Sequence, residues 1–176
     1  FSCGTLELST KGNLLANARR ERYQYLQDRA DSLGAYAIVT GHTATDQVET
    51  ALLNLSRGSG LQGASAMRRF SQGILRPMLE ISRPEVLAYL QEHGVAYATD
   101  PSNASLDRAR AQLRATVIPG LRSLNPRADH HISAFTHLAH EAEDYIRGEA
   151  TRWCSARLRP AGGLYIDGLG SLHSAL

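Results

Sequence analysis

The chain has 176 residues, 43% of them hydrophobic, and a formal net charge of +2. This length suits one ordinary core. Cys3 and Cys154 lie far apart without ligand spacing, which excludes a disulfide framework or a zinc knuckle. No apolar run approaches the roughly 20 residues that span a bilayer. We therefore expect a cytoplasmic protein with no membrane partner.

Arginine supplies almost all of the positive charge, because Lys11 is the only lysine. Guanidinium groups suit phosphates and stacked bases, which favours a nucleic-acid partner. Codon bias in a GC-rich genome explains the same composition, and the arginines form no run or stripe. Composition alone leaves both explanations open.

Strands and helices alternate in the first part of the chain. Residues 5–9 alternate polar and apolar side chains and predict a strand, and residues 14–33 predict a helix that ends before Gly34. The apolar run 35–40 is typical of a buried parallel strand, and residues 45–56 predict the next helix. This order predicts an α/β fold, a Rossmann-like parallel sheet with helices.

The pattern continues with shorter elements. Ile74 and Leu75 predict a short strand, and Ser82 as N-cap opens a helix over residues 85–93. Residues 100–103 are rich in turn formers and predict a loop. The helix after this loop carries Arg108, Arg110 and Arg114.

A long helix is predicted from Pro126 onward. Its expected buried stripe consists of apolar side chains at spacings of three and four: Ile132, Phe135, Leu138, Ala142, Tyr145, Ile146 and Trp153. We divide the chain into an α/β domain over 1–124, a helical segment over 125–160, and a linker or the start of another domain over 161–176.

The most informative cluster lies where the run 35–40 gives way to the next helix. His42, Asp46 and Glu49 stand at the carboxyl end of the predicted strand, the edge at which open α/β sheets bind ligands. Asp46 and Glu49 share one helix face and could together hold an ammonium group. Stabilisation of the helix dipole is the alternative explanation for either acid.

Arginines and histidines farther along the chain have structural explanations as well. Arg110 and Arg114 are one helical turn apart and could grip a phosphate, or could simply form a solvated surface pair. Arg57 suits the end of a helix dipole. Four histidines, His130, His131, His137 and His140, scatter around the apolar stripe of the long helix, so we predict no metal site there.

Five motifs, in order, are similar to those of the tRNA(Ile)-lysidine synthetases. Residues 42–50, His-Thr-Ala-Thr-Asp-Gln-Val-Glu-Thr, resemble the family's His-x-x-Asp-Asp-Gln-x-Glu-Thr, and Arg-Gly-Ser-Gly follows at 57–60. Residues 18–23 resemble Ala-Arg-x-x-Arg-Tyr, and residues 76–79 resemble Arg-Pro-Leu-Leu. Residues 100–119 resemble the run from Asp-x-Ser-Asn to Arg-x-x-x-Arg. Together the five are specific.

The resemblance implies an N-type ATP pyrophosphatase, with a fold like the adenine nucleotide alpha hydrolases. It implies ATP with Mg²⁺, L-lysine and the isoleucine tRNA with a CAU anticodon, whose wobble cytidine is adenylated and then joined to lysine at C2. Related pyrophosphatases that thiolate tRNA, or a non-catalytic tRNA-binding fragment, are the alternatives. The resemblance leaves a homodimer open.

The resemblance also assigns roles to residues. It implies His42, Asp46, Glu49, Arg110 and Arg114 as catalytic, with Asp46 and Glu49 binding lysine. The implied tRNA or nucleotide contacts are Arg57, Gly58, Ser59, Asn103, Arg110 and Arg114.

The sequence departs from the family pattern in four places. The Ser-Gly-Gly-x-Asp-Ser phosphate loop is not in the sequence, and Thr45, Arg108 and Ala111 replace usual residues. Because the chain starts at Phe1 and stops in mid-pattern, we expect a fragment of a longer protein.

Overall fold

A computed structural model of the chain describes residues 3–5, 14–98 and 108–157. The helices are α1 (Leu14–Ser32), α2 (Ala44–Ser56), α3 (Leu61–Ala64), α4 (Arg83–Glu92), α5 (Arg108–Gln112), α6 (Ile118–Leu124) and α7 (Ala128–Ser155), with a π-helical turn at Leu113–Val117. The strands are β1 (Ile38–Val39), β2 (Phe70–Ser71) and β3 (Ile74–Leu75). No helix in these ranges is long and apolar enough to cross a membrane.

The three strands form one small mixed sheet in the order β1-β3-β2. β1 and β3 are parallel, as predicted, whereas β2 pairs antiparallel with β3. Gln72 and Gly73 join β2 to β3 with φ angles of 51° and 70°, the left-handed pair that a tight two-residue hairpin needs. The predicted strand over 5–9 lies outside the described residues, except for Thr5.

The expectation that residues 35–40 are buried is wrong. Val39 is 64% exposed and Tyr36 is 91% exposed, although Tyr36 stacks on the Phe70 ring. Among the described strands β1 pairs only with β3, and α1 packs against β1, so Ile38 is half-buried while Val39 faces outward. An apolar run is therefore not sufficient evidence for a strand that is covered on both faces.

The predicted helices α1, α2, α4 and α7 are confirmed to within a few residues. α4 begins as its sequence indicates: the Ser82 hydroxyl accepts from the Glu85 backbone N–H, and the Glu85 carboxylate accepts from the Ser82 N–H at 2.7 Å. This capping box satisfies backbone donors that the first helical turn leaves without partners. Pro84 in the first turn lacks one such donor altogether.

The core joins α2 to the helices that follow residue 107. Val48, Leu113 and Ile118 form its buried centre, against which the partly buried Leu52, Leu53 and Ile132 pack. Ile132 belongs to α7, which lies across α2, α3 and α6. The long helix α7 therefore packs against α2, which begins just after His42.

The predicted buried stripe of α7 is wrong for most of its members. Phe135, Leu138 and Tyr145 are exposed, and the buried face instead carries Thr136, Ala139 and Glu143. Small side chains such as Ala139 let helices approach closely, and Glu143 meets cationic partners across the interface. Apolar spacing could not reveal this, because the packed face is small and polar.

Glu143 connects α7 to the segment between α3 and β2. Its carboxylate accepts from Arg68 at 3.1 Å, from the Ser65 hydroxyl at 3.3 Å and from Arg147 at 2.6 Å. Arg68 also contacts Asp144 at 2.6 Å. The hydrogen bond from Arg147, followed by that from Arg68, holds the pKa of Glu143 below its ordinary value despite partial burial.

We expect this network to make the fold acid-sensitive. Because the folded-state pKa of Glu143 is lowered, its stabilisation is complete above the ordinary pKa of 4.5 and is lost as pH falls through the folded-state pKa. Glu143→Gln should therefore lower the free energy of unfolding at pH 7 and make its decline between pH 5 and 3 shallower, as denaturant titrations at several pH values would measure. Glu149→Gln, which alters a pair within one helix, is the control. Parallel pH profiles for Glu143→Gln and wild type would contradict the assignment.

Candidate active site at the carboxyl edge of the sheet

His42 follows β1, and Arg76 follows β3, so the parallel pairing brings both to one edge of the sheet. The His42 ring is half-buried, and its Nδ1 lies 2.8 Å from the Thr40 hydroxyl, which sets the orientation of the imidazole. This is the edge at which open α/β sheets bind ligands.

Several charges act on His42. Burial lowers the pKa of the imidazole, Asp46 raises it, and the guanidinium groups of Arg76, Arg19 and Arg110 lower it further. The net shift is downward, so His42 is neutral at pH 7 and able to accept a proton. Three arginines within electrostatic reach of one carboxylate also make this edge attractive to anions.

Asp46 is part of the N-terminal cap of α2. Its Oδ2 accepts from the Thr43 backbone N–H and from the Thr43 hydroxyl, both at 2.8 Å. The Thr43 hydroxyl in turn accepts from the Asp46 backbone N–H, which completes a capping box. The structural explanation for Asp46 is thus confirmed, and its role toward lysine stays a prediction.

Glu49 is buried in a bidentate ion pair with Arg114. Arg114 Nε and one of its terminal nitrogens donate to the two carboxylate oxygens at 2.5 and 2.8 Å. The Glu49 side chain is only 2% exposed, whereas that of Arg114 is 38% exposed. A buried carboxylate needs such a partner, so Arg114 offsets the cost of burying the charge of Glu49.

Arg110 and Arg114 lie in two consecutive helical elements. Arg110 lies in the last turn of α5 and its charge acts on His42, whereas Arg114 lies in the π-helical turn and binds Glu49. A π-helical turn interrupts the α-helical spacing from which a common face was predicted, and such turns are frequent at functional sites. The structure brings His42, Asp46, Glu49, Arg110 and Arg114 to one region.

Arg57, Gly58 and Ser59 form the end of α2. The Gly58 N–H donates to Leu55 and the Ser59 N–H to Asn54, the two bonds of a Schellman motif. Gly58 has a φ of +77°, which the motif requires and which favours glycine. The Arg57 side chain is left exposed. A structural role for this loop is confirmed; contact with tRNA stays a prediction.

Other residues of the motif also have structural roles. The buried Gln47 amide bridges both backbone groups of Met67, at 2.8 and 3.0 Å. The Thr45 hydroxyl accepts from the Arg83 backbone N–H and so links α2 to α4. Asn103 lies outside the described residues. Within the described ranges, no three His, Cys, Asp or Glu side chains come together as metal ligands.

Sequence analysis did not single out Arg76 as a site residue. The side chain is buried, with the residue 7% exposed, and one terminal nitrogen donates to the Arg68 carbonyl at 2.9 Å and to the Ser71 hydroxyl at 3.2 Å. Burial lowers its pKa, while Tyr23 raises it. Its Nε has no hydrogen-bond partner among the described residues. The available signal was an arginine directly after a strand, at the edge that carries His42.

Comparison with known proteins extends this picture. Residues 4–121 match the family model for the PP-loop domain. The chain is 39% identical over 166 residues to the tRNA(Ile)-lysidine synthase of Salinispora arenicola (strain CNS-205), covering 92% of the chain and 50% of that protein. It is 36% identical over 139 residues to the tRNA(Ile)-lysidine synthase of Bacillus subtilis (strain 168), covering 77% of the chain and 29% of that protein.

A solved structure supports the fold class. The U34-tRNA thiolase NcsA from Methanococcus maripaludis superposes with a TM-score of 0.61 over 77% of this chain and 47% of its own, at 16% identity. At that identity the likeness concerns the fold alone. The predicted α/β fold, like the adenine nucleotide alpha hydrolases, is thereby confirmed.

The chain spans half the length of the Salinispora relative and less of the Bacillus one. The family match covers most of the chain and includes α2, α5 and the edge that carries His42. The suspected resemblance to the lysidine synthetases is confirmed by relatives that are 36–40% identical over most of the chain. The chain therefore belongs to the PP-loop domain family.

Proposed function

We propose that this chain is the catalytic part of an ATP-dependent ligase that joins lysine to the wobble cytidine of the isoleucine tRNA with a CAU anticodon. The observation that carries the proposal is 39% identity to a tRNA(Ile)-lysidine synthase over 92% of the chain. The clustering of His42, Asp46 and Arg110 at a ligand-binding edge supports it. The relatives' names do not favour thiolation.

The reaction would proceed in two displacements. The C2 oxygen of the cytidine attacks the α-phosphorus of ATP and releases pyrophosphate; the lysine ε-amine then attacks C2, and AMP leaves. Negative charge grows on phosphate oxygens in the first step, so Arg110 is suited to stabilise it. The amine loses a proton in the second step, and neutral His42 is suited to accept it.

Mg²⁺ would neutralise the triphosphate when bound, held mainly by phosphate oxygens and water, as is usual for this ion. Among the described residues, Asp46 is the carboxylate whose charge raises the pKa of His42, which makes it the candidate for an additional contact. Phosphate recognition through the Ser-Gly-Gly-x-Asp-Ser loop would need residues outside this sequence.

Asp46 and Glu49, which were predicted to bind lysine together, have different roles in the proposal. Both carboxylates already have partners in the chain, Thr43 and Arg114 respectively. Asp46 is only partly buried, so an ammonium group could approach it beside the capping bonds. Glu49 is enclosed, so we assign it the indirect role of holding Arg114 in place.

We expect Arg57→Ala to weaken tRNA binding without lowering stability. Arg57 is exposed at the end of α2, and its backbone alone forms the cap, so alanine removes an exposed positive charge and leaves the cap intact. Loss of one phosphate contact should reduce the slope of log Kd against log salt by about 1. Fluorescence anisotropy at several salt concentrations measures the slope, with Arg20→Ala on the exposed side of α1 as control. An unchanged slope would remove Arg57 from the tRNA contacts.

The function is tested by transfer of labelled lysine to the CAU-anticodon isoleucine tRNA in the presence of ATP. The assay compares this chain with a version extended upstream to include a Ser-Gly-Gly-x-Asp-Ser loop. Lysine transfer by the extended protein alone is the expected result. Tight tRNA binding without transfer by either protein would favour a non-catalytic tRNA-binding module, and sulfur incorporation would favour a thiolating enzyme.

A further inference from the structure

A cavity of about 330 Å³ lies between the β2–β3 hairpin and α7, beside the edge that carries His42. Arg76 lines it from the end of β3, Gln47 lines it from α2, and Thr136 and His140 line it from α7. Its volume falls in the range of small-ligand sites. Arg76 belongs to both regions, because it lines the cavity and its charge acts on His42.

Two buried nitrogen atoms in the cavity wall lack hydrogen-bond partners among the described residues. They are Arg76 Nε and His140 Nε2. A buried donor that loses its water and gains no acceptor costs free energy. Arg76 is also a buried cation. Among the described residues its hydrogen bonds go to the Arg68 carbonyl and to the Ser71 and Tyr23 side chains, none of which is a carboxylate. An anionic group that enters the cavity and reaches these nitrogen atoms would supply the missing acceptor and would neutralise the buried cation.

The other charged side chains of the cavity wall indicate which kind of anion would bind there. Glu80 and Glu141 line the cavity together with Arg76. A wall with charges of both signs disfavours a polyanion such as a nucleic-acid backbone and favours a small zwitterion, which carries a carboxylate and an ammonium group. Free amino acids have this chemistry.

We propose that this cavity is the subsite for the carboxylate of the amino-acid substrate, with Arg76 as its principal ligand and His140 as a second donor. The inference rests on the proposed function for the identity of the amino acid, lysine. With its carboxylate on Arg76, the substrate's side chain extends toward His42 and Asp46, where the amine reacts. The chain thereby binds the carboxylate of lysine in the cavity and the side-chain amine of lysine near Asp46. α2 connects the two places, because Gln47 lines the cavity and is the next residue after Asp46.

The test compares L-lysine with cadaverine, which has both amines but no carboxylate, by calorimetry on the 176-residue chain. Wild type should bind L-lysine more tightly than cadaverine. Arg76→Met and, separately, His140→Ala should weaken L-lysine binding, Arg76→Met by at least about tenfold, and leave cadaverine binding unchanged. Arg69→Met, on the exposed rim of the same cavity, is the matched control and should bind both ligands as wild type does.

The outcomes separate this inference from the proposed function. Equal loss of L-lysine and cadaverine binding in Arg76→Met would indicate general damage to the fold, and unchanged L-lysine binding in both variants would place the carboxylate elsewhere; either overturns the subsite. No measurable binding of L-lysine to wild type would also overturn it. Carboxylate-dependent binding of a different amino acid in preference to lysine would support the subsite and contradict the proposed function.

Discussion

Arg114→Gln is expected to lower the free energy of unfolding by about 3 kcal/mol, because it leaves the carboxylate of Glu49 buried without its cation. This is the lower end of the range for a broken buried pair, since 38% of the Arg114 side chain is exposed and water can reach part of the site. Glutamine retains one amide donor but neither the charge nor the bidentate geometry. Urea denaturation at neutral pH measures the change.

The double variant Glu49→Gln with Arg114→Gln separates pairing from general damage. Two amides can share a hydrogen bond, and no buried charge remains, so the double variant should be more stable than Arg114→Gln alone, with a coupling of about 1–3 kcal/mol. Arg122→Gln is the control, because its pair with Asp129 is more exposed and should contribute less than about 1 kcal/mol. A loss in Arg114→Gln no larger than in Arg122→Gln would contradict a structural role for the pair.

Local signals in the sequence predicted the helices well. Ser82 was predicted as the N-cap of α4, and it forms a capping box with Glu85. Thr43, which was not singled out, carries the same signal of an acid three residues on and caps α2 in the same way. The β2–β3 hairpin was missed because β2 is two residues long and its turn, Gln72-Gly73, carries only one glycine as a signal. Short strands are defined by their partners, which periodicity does not reveal.

The inner face of α7 could not be predicted from apolar spacing. Phe135, Leu138 and Tyr145 follow the helical period but remain exposed, whereas Glu143 is buried by partners that are 75 or more residues away in sequence. An ion pair of that kind depends on which elements meet. The spacing of apolar residues within one helix does not show which other elements pack against that helix.

In the site, too, contacts between residues close in sequence could be predicted, and contacts between residues far apart in sequence could not. His42 and Asp46 lie within electrostatic reach of each other, while the site that their spacing with Glu49 suggested stays a prediction. The position of Asp46 in the first helical turn offered a structural alternative, and Asp46 does cap α2. The Glu49–Arg114 pair joins residues 65 positions apart and was not foreseen. Arg76 was overlooked because its burial and its missing partner exist only in three dimensions.

Asp46→Asn is expected to raise the KM for lysine by about tenfold or more in the extended, active protein, with little change in tRNA affinity. Asparagine keeps the size of the side chain and one oxygen to accept from the Thr43 N–H, so the cap of α2 largely survives. The negative charge that would attract an ammonium group is lost, and each tenfold corresponds to about 1.4 kcal/mol. A rise in KM at nearly constant kcat is the signature of a lost binding contact.

Glu85→Gln supplies the matched control for this experiment. Glu85 occupies in α4 the position that Asp46 occupies in α2, in the same kind of capping box, but it is exposed and is not among the charges that shift the pKa of His42. Both variants therefore lose one negative charge from a first helical turn, where it interacts favourably with the helix dipole. If Asp46 binds lysine, only Asp46→Asn should raise the KM for lysine. Equal and small effects of both variants on lysine kinetics would mean that Asp46 serves only as a cap, and the ammonium of lysine must then be held by other acids.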